Sequence, residues 1–117
     1  MELPPNVLSQ SCASRRYLAL VASKWSLLVI NALDDGPARN SFLMRKVGGI
    51  SQKILTQTLR DLAAASLVSR EDHGTLPPHV TYRLTPLGQS FRREVRSLIA
   101  WVEGNMPALR GAEPDQH

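Results

Sequence analysis

The sequence predicts a mainly α domain with one small β-hairpin, an α+β arrangement of three or four helices, a hairpin and a long closing helix. Three observations predict it. Apolar residues recur at helical spacing in two places, Ile54, Leu55, Leu59 and Leu62, then Leu87, Phe91, Val95, Leu98 and Val102. Between those stripes Val80, Tyr82 and Leu84 alternate with Thr81 and Arg83, the two-residue period of a strand. A turn-rich stretch, Gly74-Thr75-Leu76-Pro77-Pro78, parts that strand from an earlier one. Helices, hairpin and closing helix in this order make the winged helix-turn-helix plan.

Residues 1–11 show little periodicity and are expected to form a flexible arm. A first helix is expected over Cys12–Val21, with Ser11 as its cap and Tyr17, Leu18 and Val21 as a short apolar face. A second, Lys24–Leu33, is apolar on most sides and belongs at the centre of the core. Asp34, Asp35, Gly36 and Pro37 stop it, and a turn explains those two acids better than a catalytic carboxylate pair. A short third helix is expected over Ser41–Val47, ended by Gly48-Gly49. Ser51 caps a fourth, on which Gln52, Lys53, Thr56, Gln57 and Arg60 fall opposite the apolar stripe. Strands are expected over Leu67–Asp72 and His79–Leu84. Thr85 followed by Pro86 places a cap before a proline at the first helical position, which starts a last helix over Pro86–Asn105. One domain, 12–106, thus carries the fold, and 107–117 are expected to form a disordered tail.

At 43% hydrophobic residues, the 117-residue chain can fill one modest core and no more. The apolar stripe of the last helix exceeds what so small an interior covers, so a mate chain is expected over Leu87, Phe91, Val95, Leu98 and Val102. Arg92, Arg93 and Arg96 are expected on the opposite, solvated side. Trp25 and Trp101 each sit beside an apolar stripe, which favours core packing over a ligand pocket.

Several function classes fall away. No apolar run approaches the roughly 20 residues of a membrane span. The N-terminus carries an acid where a secretion signal has bases, which predicts a cytoplasmic protein. One cysteine, Cys12, rules out an internal disulfide, and the three histidines have no metal-ligand spacing, so no cofactor or metal is expected. A Gly-rich phosphate loop and a nucleophile elbow are both missing, which argues against an enzyme.

The charge points elsewhere. Net charge is +4, and between Asp35 and Asp61 stand five cations, Arg39, Arg45, Lys46, Lys53 and Arg60, with no carboxylate. A short helix with a basic, amide- and hydroxyl-rich face fits the major groove of double-stranded DNA. Ser51, Gln52, Lys53, Thr56 and Gln57 are expected near base edges, and Arg60 near a phosphate. Arg39, Arg45 and Lys46 lie just upstream, where they could grip the same strand or simply solvate the surface. His73, His79 and Arg83 flank the hairpin tip and are candidates for the minor groove. The plainer alternatives are exposed loop histidines and pairing of Arg70 and Arg83 with Glu71 or Asp72. Cys12 sits at a helix start beside Arg15 and Arg16, a setting that favours thiolate. A redox or electrophile switch and a small packed thiol are both open readings for it.

Specific strings carry a family resemblance. Cys12 stands twelve residues before Lys24-Trp25. The runs SKWSLLVINAL, GISQKILTQTLRDL, LVSRED and PPHVTYRLTPLG follow in one order over about residues 12–103. Together they resemble the HxlR-type transcriptional regulators, a bacterial winged-helix group related to the MarR family. The resemblance implies a homodimer joined through its first and last helices, Tyr17 among them, and bound to DNA near promoters as a repressor or activator. The implied target is an inverted repeat, with half-sites about 34–36 Å apart. It also implies that Cys12 could sense an electrophile or oxidant, or bond to a low-molecular-weight thiol. Some positions depart from the family: Asn40 stands where an aromatic is usual, and Phe42, where an acid is usual, is expected to be partly exposed. Ser66 replaces a glycine after the recognition helix, which predicts a strained turn. The alternatives to a redox-responsive repressor are a winged-helix protein-interaction module and a ligand-responsive regulator in which Cys12 is structural.

Overall fold

The computed structural model describes residues 4–33 and 36–110. Its elements are α1 (Ala13–Val21), α2 (Lys24–Ala32), α3 (Asn40–Lys46), α4 (Gln52–Ala64), β1 (Val68–Asp72), β2 (Val80–Leu84), α5 (Pro86–Gly104) and α6 (Met106–Leu109). The winged helix-turn-helix plan is therefore present. The two strands pair antiparallel from Val68 opposite Leu84 to Asp72 opposite Val80. Ala38 adds a short bridge to Tyr82, with two N–H···O bonds of 2.8 Å, and so fastens the segment before α3 to the hairpin.

α2 is the central helix, with Val29 and Ile30 fully buried. Around it pack Leu43 of α3, Leu55, Leu59 and Leu62 of α4, and Val95 of α5. Each such side chain contributes about 1.5–3 kcal/mol by leaving water. Ser23 caps α2, its hydroxyl accepting from the Ser26 N–H. The buried Ser26 hydroxyl in turn donates to the Leu20 carbonyl at 3.2 Å, which closes the α1–α2 corner.

The first helix begins one residue later than expected. Cys12, not Ser11, is its N-cap, and no side chain caps it. Residues of the expected arm fold back in turns, with the Arg15 guanidinium donating to the Val7 and Leu8 carbonyls. The tail was expected to begin at 107, yet Met106–Leu109 form a helical turn. The remaining tail, 111–117, and the Asp34-Asp35 turn lie outside the described residues.

The end of α4 is a Schellman-type cap. The Ser66 N–H donates to the Ala63 carbonyl and the Leu67 N–H to the Leu62 carbonyl, both at 3.0 Å. Ser66 sits at φ 64°, so the predicted left-handed position is real and carries a side chain. Thr85 locks this corner to α5. Its hydroxyl donates to the Ser66 carbonyl at 2.6 Å and accepts from the Gly88 N–H at 3.0 Å. Gly88 is buried there, and a Cβ at that position would overlap the Leu67 carbonyl.

The apolar stripe of α5 is two faces, not one. Phe91, Val95 and Ile99 pack on the core, and Val95 is only 1% exposed. Its own chain covers it, so it is not available to a mate. Leu87, Leu98 and Val102 point to solvent, together with Trp101, which is 57% exposed and not the core residue expected. Arg92 is half-buried where free solvation was expected, because it lines a cleft under the first turns of α5.

Candidate nucleic-acid interface

α4 divides cleanly. Leu55, Thr58, Leu59 and Leu62 are buried, while Lys53, Gln57 and Arg60, four and three residues apart, form an outward ridge. Ser51 and Gln52 are exposed at its start, and Thr56 is half-buried. The Ser51 hydroxyl accepts from the Ile54 N–H at 3.1 Å, and the first turn contains no acid. The N-terminal amides thus face solvent beside Lys53, a setting that favours an anion. Ile54 departs from the expected core stripe. It is 38% exposed and lines a groove of about 480 Å³ with Leu20, Trp25 and Arg16.

The amides of the ridge are held along the helix. Gln52 Nε2 donates to the Thr56 hydroxyl at 3.0 Å, and Gln57 Nε2 to Asp61 Oδ1 at 2.9 Å. Asp61 thus holds the Gln57 amide along the helix, with the second Nε2 hydrogen and Oε1 still available to a partner. Asp61 was not among the expected site residues, although its place one turn after Gln57 was a readable signal.

The upstream cations divide by role. Lys46 Nζ donates to the Ala32 carbonyl at 3.0 Å and lies 5.5 Å from the Phe42 ring centre. It therefore ties α3 to the C-terminal end of α2, where a cation also meets the favourable end of the helix dipole. Lys46, expected as a phosphate contact, is exposed and already spends one ammonium hydrogen within the chain. Arg39 Nη2 reaches 39 residues along the chain to the Pro78 carbonyl at 3.3 Å, so it braces the wing. Arg45 is exposed.

The structure separates the wing residues too. His73 and His79 stack with ring centres 4.2 Å apart, and His73 Nε2 lies 3.0 Å from the Thr81 hydroxyl. His73 is exposed as expected and His79 half-buried, and Thr81 is buried where strand alternation put it outside. Loss of water contact, then the Arg39 charge, then His73, hold the His79 pKa below its ordinary value. Arg83 lies at the far end of the hairpin from the tip. It lines a cleft of about 490 Å³ with Leu33, Gln89, Arg92 and Arg93, away from the histidine pair. A minor-groove role at the tip therefore does not suit it.

At the start of α1, the half-buried Cys12 thiol lies 3.1 Å from the Ser14 hydroxyl and accepts from the Asn6 N–H at 3.2 Å. Those bonds, Ser14 first, lower its pKa. Arg15, expected to supply charge to the thiol, instead holds the Val7–Leu8 turn. Tyr17 and Leu18 of α1 are 63% and 52% exposed. Among the described residues no helix is long and apolar enough to cross a membrane, and no cluster of three or more candidate ligands could hold a metal.

Comparison with known proteins agrees with this architecture. Residues 20–110 match the HxlR-like helix-turn-helix family. The uncharacterized HTH-type transcriptional regulator YtfH of Escherichia coli is 41% identical over 104 residues, covering 89% of this chain and 82% of that protein. A solved structure of the transcriptional regulator ytfH from Salmonella typhimurium superposes with a TM-score of 0.86 at 39% identity, covering 93% of this chain and 97% of that one. The redox regulator HypR in its reduced form gives 0.77 at 31% identity, over 84% of this chain and 97% of that one.

Proposed function

The chain belongs to the HxlR-like helix-turn-helix family of transcriptional regulators, and from that premise we propose that it is a cytoplasmic, homodimeric repressor reading an inverted-repeat operator. The observation that carries this reading is the α4 ridge of Lys53, Gln57 and Arg60 beside acid-free helix amides. In this reading Gln52, Gln57 and Thr56 contact base edges, and Lys53 pairs with a guanine or a nearby phosphate. Ser51 and Arg60 hold the backbone, and two such helices occupy successive major grooves. The second apolar face of α5 (Leu87, Leu98, Trp101, Val102) and Tyr17 of α1 meet their equivalents in the mate. The domain spans 12–106, with α1 and α5 as its dimerising ends. Its relatives are regulators, not enzymes.

Cys12 supplies the signal in this proposal. Its lowered pKa favours thiolate, and the similarity to the redox regulator HypR supports the same kind of chemistry here. Oxidation would join Cys12 to a low-molecular-weight thiol, with two protons and two electrons passing to the oxidant; an electrophile would alkylate the same sulfur.

One duplex-binding series tests the reading. Affinity should fall steeply with salt as phosphate contacts are screened. Gln57→Ala should relax sequence choice by about 1–3 kcal/mol, whereas Arg60→Ala should weaken all duplexes alike. Diamide should lower the affinity of the native chain and leave Cys12→Ser unaffected. A salt-insensitive or absent interaction would favour a protein-docking module instead.

A further inference from the structure

The wing ends in an apolar side chain, not a cation. Leu76 is 94% exposed at the turn between β1 and β2, flanked by Thr75 and Pro77. A lone exposed leucine means little by itself. What sets this one apart is the bracing beneath it. Asp72 Oδ1 accepts from the Gly74 N–H at 2.9 Å, and the Thr75 hydroxyl donates to the Pro77 carbonyl at 2.9 Å. The His73 N–H donates to the His79 carbonyl at 2.9 Å, and the two imidazoles stack below. Arg39 anchors Pro78 from outside the hairpin. Prolines 77 and 78 restrict the backbone further. The ordering cost of presenting this leucine is thus met before any partner arrives.

We propose that Leu76 is a wedge that enters the minor groove next to the bases read by α4 and partly unstacks one step. This rests on the regulator reading above and adds a contact to it. A protein partner would need an apolar patch of several hundred Å², and the tip offers only Leu76 and the two prolines after it. The minor groove, about 6 Å wide, asks for no more, and leucine and proline are among the residues that wedge between base steps there. Arg39, at the foot of the tip, is placed to meet the phosphates that line the groove.

The test uses the native chain and Leu76→Ala on duplexes that the native chain selects from a random-sequence pool. Leu76 is so exposed that the variant should melt with the native chain. Expected for Leu76→Ala is about ten-fold weaker binding, the worth of burying roughly one leucine. It should also lose hydroxyl-radical protection in the minor groove flanking the α4 bases, and 2-aminopurine at the flanking step should no longer brighten. Leu76→Met should retain all three. Affinity within about two-fold of native, or weaker binding with footprint and brightening intact, overturns the wedge and leaves the regulator standing. If the native chain selects no sequence at all, both readings fall.

Discussion

The two apolar faces of α5 share one helix and meet opposite surroundings. Gly88, Phe91, Val95 and Ile99 lie against the core, so closely at Gly88 that a Cβ has no room beside the Leu67 carbonyl. Leu87, Leu98, Trp101 and Val102 run beside them and are open to water. The difference teaches that hydrophobic spacing marks a face as apolar without saying what covers it. The first face holds the single chain together. In the proposed dimer, the second holds two chains together.

Four substitutions or conditions break or sharpen that contrast. The largest effect is expected at Gly88→Ala, which forces the start of α5 away from β1 and should cost about 3 kcal/mol of stability. Urea unfolding checks it, as a lowered midpoint with unchanged slope. Trp101→Ala should act on the other face only, weakening dimerisation by about 2 kcal/mol while the subunit fold persists. Sedimentation velocity over a dilution series measures it, and equal dimer strength would remove Trp101 from the interface. Ser66→Gly relieves the left-handed residue at the α4 cap and should stabilise by about 0.5–1 kcal/mol, a test of the corner from which α5 departs. The smallest effect is expected from pH, far from either face. His79 has a lowered pKa, so between its ordinary value of 6.5 and the lower folded value the unfolded chain binds more protons. Stability contributed by neutral His79 is present above that window and is lost as pH falls through it. Melting curves of native and His79→Gln chains should diverge only on the acid side of 6.5.

Much of this was legible because it is local. The order of elements, the Ser51 and Thr85 capping positions, and the polar ridge of α4 follow from spacing and from residues with strong positional preferences. The φ of Ser66 was readable from the family resemblance, which puts a glycine at that place after the helix. Partial exposure of Phe42 also agrees with expectation. What escaped depends on closure in space. Lys46 reaches the end of α2 and Arg39 reaches Pro78, and neither partner is near in sequence. Val95 and Leu98 lie three residues apart with equal hydrophobic character, and only the packing of α2 tells them apart.

The paired bonds between Ala38 and Tyr82 have a mechanical result. They stitch the reading head into one stiff piece, since the strand that carries the tip also grips the lead-in to α3. In the proposed reading, a signal received at Cys12, the N-cap of α1, would have little to bend inside each head. In a twofold assembly it would work by changing the distance or tilt between heads, so that both cannot straddle neighbouring turns of one duplex.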